Sequence, residues 1–149
     1  NKVFDRALRR ARQRFSNATL ITRQQGLRPV LKALREKRAF YYLPDMDFGA
    51  KDAVFVDFFG VKTATVTALS RLAQITGAKV IPLVTRQTAD GYEARFYPAW
   101  QDFPSSDVVA DARRLNAFVE QRIAEMPDQY FWVHKRFKTR PPGEPSLYG

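Results

Sequence analysis

The chain has 149 residues, 45% of them hydrophobic and 13% aromatic, which is enough for one core and too apolar for a disordered segment. It has no cysteine, so disulfides and thiolate metal sites are excluded, and no apolar run approaches the roughly 20 residues that span a bilayer. The net charge of +10 is concentrated at one end: residues 1–38 carry 12 Lys/Arg against Asp5 and Glu36, whereas residues 39–133 carry 9 against 12. A basic end on a near-neutral body fits a polyanionic partner such as anionic lipid, phosphosugar or nucleic acid. A solvated helix face accounts for any single arginine, and less readily for the group.

Val3, Phe4, Ala7, Leu8, Ala11 and Phe15 recur at helical spacing, which predicts an amphipathic helix ringed by Arg6, Arg9, Arg10, Arg12 and Arg14 and stopped by Ser16-Asn17. Thr19–Ile21 has the length of a short strand. Gly26 to Lys37 reads as a second helix, with Pro29 in its first turn and Leu27, Val30, Leu31 and Leu34 as its buried stripe. Ala39–Leu43 is a continuous apolar run that fits a strand covered on two faces, and Ala53–Phe59 is a second extended apolar segment, closed by Gly60. Thr65 to Ile75 reads as a helix capped by Gly77, and Lys79 to Val84 as an irregular or edge strand because of Pro82. Asp90-Gly91 predicts a hairpin turn that makes Tyr92–Tyr97 the partner strand. Asp107 to Met126 is a long amphipathic helix with Val108, Leu115, Phe118, Val119 and Ile123 inward. Strands alternating with helices predict an α/β fold: a mostly parallel sheet flanked by helices, with an added antiparallel hairpin. Residues 1–149 read as a single domain, with 141–149 as an extended tail.

In such sheets ligands gather at the carboxyl ends of strands, where Asp45 and Asp47 stand after Tyr41-Tyr42-Leu43. The alternative for each is a turn carboxylate that caps backbone amides. An i, i+2 spacing points the two in different directions, so they need not form an acid–base pair. His134 is the single histidine and hence a lone general-base candidate, set against the more ordinary packed or phosphate-facing ring. One histidine excludes a multi-histidine metal site, and there is no phosphate-cradling glycine loop, serine elbow or dinucleotide fingerprint. Lys135, Arg136, Lys138 and Arg140 beside Tyr130, Phe131, Trp132 and Phe137 suit either unpaired bases or a membrane interface with its phosphates.

Tyr42-Leu43-Pro44-Asp45-Met46-Asp47-Phe48-Gly49, Val54 through Val61 and Gln129 through Glu144 together resemble the bacterial lipid A biosynthesis acyltransferases, the lauroyl/myristoyl transferase family. The resemblance runs nearly end to end and implies a glycerolipid-acyltransferase-like fold. It also implies transfer of an acyl chain from acyl carrier protein to a lipid A precursor at the cytoplasmic face of the inner membrane. No metal or bound cofactor is implied. The family's base is a histidine followed five positions later by an acid. Five positions after His134 stands Thr139, so that motif is absent here.

Because the chain starts at Asn1 and its helical pattern is running by Val3, it is expected to be the C-terminal part of such a domain, inactive alone. The membrane anchor and the histidine–acid pair are expected upstream. Matching the family's positions gives Arg12 and Asp45 catalytic roles, and places Arg10, Arg14, Asp47, His134, Lys135, Arg136 and Lys138 toward substrate. Val80–Val84 resembles the family's last acyltransferase block, or is simply a buried strand. The rivals are a nucleic-acid-binding basic module and a non-catalytic lipid-binding remnant; the family reading expects no nucleic-acid partner.

Overall fold

A computed structural model describes residues 1–22 and 25–149. Two compact units are present, residues 1–40 and residues 41–149.

The first unit holds α1 (Lys2–Gln13) and α2 (Arg28–Arg35). Asn1 caps α1, its side chain accepting from the amides of Val3 at 2.9 Å and Phe4 at 3.3 Å, and Asp5 pairs with Arg9 one turn on. The amphipathic pattern is present, yet no residue of α1 is buried: Val3, Phe4, Leu8 and Phe15 are all exposed. Pro29 lies in the first turn of α2, and only Val30 of the expected stripe is fully buried. Thr19–Ile21 is not a strand.

The second unit contains β1 (Ala53–Phe58), β2 (Val61–Val66), α3 (Ala68–Thr76), β3 (Leu83–Thr88), β4 (Gly91–Phe96) and α4 (Val108–Glu125), followed by short 3-10 turns at Pro127–Gln129 and Trp132–His134. The expected parallel sheet is not there. Among the described residues the four strands form two antiparallel pairs, β1 with β2 and β3 with β4. Phe59 and Gly60 explain the first pair. Both adopt positive φ, 50° and 75°, as a two-residue primed hairpin turn requires, so the chain reverses at once and supplies its own neighbour. A parallel partner needs a crossover of a dozen residues or more. An apolar run such as Ala39–Leu43 declares that it wants cover, not what will pair with it, and it carries no strand here.

Thr65 and Val66, expected in a helix, belong to β2, whose Thr63 and Thr65 are completely buried. Their hydroxyls are satisfied by the carbonyls two residues back, Thr63 Oγ1 to Val61 at 2.8 Å and Thr65 Oγ1 to Thr63 at 3.2 Å. α3 ends in a left-handed Gly77 as expected. α4 starts at an Asp107 cap and lies on β1, with Leu115 and Ile123 buried beneath it. Its buried Asp111 accepts Ser70 Oγ at 2.6 Å, which ties α4 to α3.

The core closes on a charged residue. Arg136 is 1% exposed. It donates from Nη1 to the Ala64 carbonyl at 2.8 Å and from Nη2 to Thr65 Oγ1 at 3.0 Å and Asn116 Oδ1 at 3.4 Å, while its plane lies 5.1 Å from the Phe58 ring centroid. Asn116 returns the connection from α4, donating to the Asp57 carbonyl at 2.9 Å. One guanidinium therefore joins the C-terminal segment, β2 and α4.

Two substitutions test this packing by urea denaturation. Gly60→Val forces a β-branched residue into left-handed backbone and should destabilise by about 1–2 kcal/mol, with Gly60→Asn losing less. Arg136→Met strips the Ala64 carbonyl and Asn116 of a donor and should cost on the order of 2–4 kcal/mol. A midpoint equal to that of the parent chain would show that Arg136 does not hold the core.

Candidate functional site

The Pro44–Gly49 turn and the C-terminal segment are bonded to each other. Asp47 is 3% exposed, and its carboxylate accepts the Thr139 amide at 2.9 Å, the Thr139 hydroxyl at 2.8 Å and the Gly49 amide at 2.8 Å. Charge-assisted bonds of this kind are roughly twice as strong as neutral ones. Thr139, the residue standing where the family's acid would follow a motif histidine, thus serves as a clamp for Asp47. Asp47 turns inward to hold the turn; Asp45, two residues earlier, is half-buried at its edge.

The C-terminal segment carries a cluster of aromatic rings centred on Tyr130. Tyr130 packs edge-on against Trp132 at 4.7 Å and His134 at 5.7 Å, and lies 6.3 Å from Phe58. Burial pushes the Tyr130 phenol above its ordinary range, and the Asp45 carboxylate pushes it the same way. Burial pulls the Arg136 guanidinium below its ordinary range, opposed by Tyr130, Asp47 and Asp45.

His134 is half-buried. Its Nδ1 lies 2.6 Å from the Phe131 carbonyl. A carbonyl only accepts, so Nδ1 carries the proton, and Nε2 is left as a buried atom with no partner.

The structure therefore sorts the expected site residues. Asp45, Asp47, His134 and Arg136 come together in the second unit. Lys135 and Lys138 stand exposed beside them, Lys135 at φ 54° with its ammonium 5.4 Å from the Tyr148 ring. Arg136 faces inward, and both of its terminal nitrogens are engaged by protein acceptors. Arg10, Arg12 and Arg14 are exposed on α1 in the first unit, where the Arg14 guanidinium covers the Phe15 ring at 5.0 Å. α2 carries an open groove of about 370 Å³ lined by Arg28, Leu31, Lys32, Arg35 and Glu36.

Residues 141–149 turn back on the segment: Arg140 pairs with Glu144, and Tyr148 Oη accepts the Phe137 amide at 3.2 Å. Tyr148, Thr139, Asn116 and Thr65 escaped the sequence reading as site-building residues. The one local signal for Thr65 was the β-branched content of Val61–Val66. Among the described residues no three His, Cys, Asp or Glu side chains gather as metal ligands, and no helix is long and apolar enough to cross a membrane.

The model of the bacterial lipid A biosynthesis acyltransferase family matches residues 1–139. A lipid A biosynthesis acyltransferase of Haemophilus influenzae is 40% identical over 139 residues, covering 92% of this chain and 42% of the relative. The lipid A biosynthesis lauroyltransferase of Escherichia coli is 39% identical over 89% of the chain and 44% of its own length. The myristoyltransferase of the same organism is 38% identical over 99% of the chain and 46% of its length. The chain thus spans less than half the length of these relatives. With 139 residues matched from α1 through Thr139, the chain belongs to the bacterial lipid A biosynthesis acyltransferase family.

Proposed function

We propose that this chain forms the acceptor-side part of an acyltransferase that moves a fatty acyl chain from acyl carrier protein to a hydroxyl of a lipid A precursor. The carrying observation is the family match over residues 1–139, which includes the Asp45–Asp47 turn and its Thr139 clamp. The relatives named for lauroyl and myristoyl transfer support the acyl-donor side of this reading.

On this reading the chemistry is direct transfer. A general base takes the proton of the acceptor hydroxyl, its oxygen attacks the thioester carbonyl, and the carrier thiolate departs. Asp45 hydrogen-bonds the acceptor sugar from its rigid turn. Arg12 meets a phosphate or the developing oxyanion, a task that suits a guanidinium fork. Arg10, Arg14, Lys135 and Lys138 are exposed cations for phosphates of the precursor or of an anionic inner-membrane surface. Within the second unit, Asp47, Arg136 and the His134 ring support the segment that carries Asp45, Lys135 and Lys138. The base on this reading is a histidine–acid pair outside these 149 residues, since the single histidine, His134, is followed five positions later by Thr139. The reaction needs no metal or bound cofactor.

Acyl transfer from acyl carrier protein to a Kdo-bearing lipid A precursor tests the proposal. A longer polypeptide that includes the upstream histidine–acid motif should be active, and the 149-residue chain should not. In the active form, Asp45→Asn and Arg12→Met should each lower kcat/KM by about 100-fold or more. Transfer by the 149-residue chain itself would overturn the base assignment and place that role on His134. No transfer by either form would overturn the reading as a whole.

A further inference from the structure

The apolar part of the C-terminal segment has no task in the reaction above. Phe131, Trp132 and Val133 are 67%, 44% and 75% exposed, three consecutive apolar side chains left in water around the 3-10 turn Trp132–His134. The β1–β2 turn adds the exposed Phe59, whose ring centroid lies 6.2 Å from that of Trp132. Exposed apolar patches of this kind mark a contact with another protein or with a membrane. Two features separate those partners. The first is that the turn meets its own polar groups: the amides of Trp132, His134 and Lys135 donate to the carbonyls of Tyr130, Phe131 and Trp132 at 2.9, 3.3 and 3.2 Å. The Trp132 indole N–H donates to the Pro127 carbonyl at 2.8 Å, and His134 Nδ1 to the Phe131 carbonyl at 2.6 Å. The side-chain atoms without a partner, Tyr130 Oη and His134 Nε2, are enclosed by protein and form no part of the exposed surface. Internal satisfaction is what a lipid phase demands of a backbone that enters it, whereas a protein or nucleic-acid partner is met through free donors and acceptors.

The second feature is charge. Residues 129–143 hold Lys135, Arg136, Lys138 and Arg140 and no acid, and the exposed Lys135 and Lys138 follow directly on the apolar tip. Rings at the headgroup level with ammonium groups behind them fit an anionic lipid surface. The segment is also preformed, held by Arg136 on β2 and by Asp47 on Thr139, so docking costs little ordering entropy. We propose that Phe131, Trp132 and Val133 enter the interface of an anionic bilayer, with Lys135 and Lys138 on its phosphates, and dock the second unit on the membrane that holds the acceptor. This deepens, and rests on, the reading of the acceptor as a membrane lipid, but docking is measured without catalysis.

The chain has no cysteine, so Val133→Cys supplies a single thiol for a polarity-sensitive fluorophore, and Ile75→Cys, at the exposed end of α3, is the control. Both positions face water, so neither change should disturb folding. Vesicles of phosphatidylethanolamine with phosphatidylglycerol should move the emission of the label at 133 to shorter wavelength and shield it from iodide. The label at 75 should not respond, and phosphatidylcholine alone should act only weakly. With the label at 133, Phe131→Ser should raise the lipid concentration for half-maximal response about 10-fold, and Lys135→Gln and Lys138→Gln about 5-fold each. The exposed cations of α1 are a separate route to an anionic vesicle, so a chain that pellets with vesicles while the label at 133 stays unmoved overturns the proposal. A chain that does not bind the vesicles overturns it as well.

Two other occupants are decided by the same label. A response at 133 to a single-stranded oligonucleotide that vesicles do not produce assigns the tip to unpaired bases and overturns the proposal. In the longer polypeptide, a thiol at 133 should react with a water-soluble maleimide before vesicles are added and be protected afterwards. Resistance before vesicles are added places protein over the tip and overturns the proposal. Absence of acyl transfer by the longer form would count against the functional reading alone, and the response at 133 would still decide the docking.

Discussion

The second unit depends on a buried guanidinium. Burying a cation is expensive unless its donors are met, and the structure meets the two terminal nitrogens of Arg136 with neutral acceptors, a β2 carbonyl, a threonine hydroxyl and an asparagine amide oxygen, while its Nε is buried without a partner. The cost is further offset by the Phe58 ring under its plane and by the fields of Asp47 and Asp45. Because its acceptors come from β2 and α4, the cation sits correctly only when hairpin, helix and C-terminal segment are all in place. An arginine used in this way specifies one arrangement, because an apolar side chain there would leave the Ala64 carbonyl and Asn116 without their donor.

This constraint divides the C-terminal cations by direction. Lys135 adopts a left-handed backbone, Arg136 points inward, and Lys138 points out. Adjacent positions thus serve different purposes: the inward residue holds the segment against the hairpin, and the outward ones are presented to solvent. The same division separates the two carboxylates of the turn. Asp47 is consumed by Thr139 and Gly49, and this leaves Asp45 at the rim in a fixed place. A reactive or binding group gains from a rigid neighbour, since a loose carboxylate would spend binding energy on being ordered.

Periodicity made α1, α2 and α4 legible, because one apolar face repeated every 3.6 residues has a single explanation. Asp90-Gly91 made the hairpin turn and β4 legible, and Gly77 the end of α3, whereas β3 runs over Leu83–Thr88 and not over the expected Lys79–Val84. The first hairpin was harder. Phe59-Gly60 is not a stock turn pair, and Thr65-Val66 was absorbed into the helix that begins at Ala68. The parallel sheet was inferred from alternation of apolar runs with helices, but alternation cannot say which edge a run will meet. At the site, Asp45 and the cationic segment stood out by position and composition. The inward turn of Arg136 did not, because its three acceptors are 20 to 72 residues away in sequence. The clamp on Asp47 was equally hidden, with Thr139 92 residues distant.

These long-range bonds make few demands on side-chain identity. Ala64 contributes only a carbonyl to Arg136, and Gly49 and Thr139 contribute amides to Asp47, groups that survive most side-chain changes. The demanding positions are few: a guanidinium at 136, a carboxylate at 47 and an amide at 116. Asp45 and the exposed Lys135 and Lys138 lie outside that bonded framework, where a side chain can change without reopening the core.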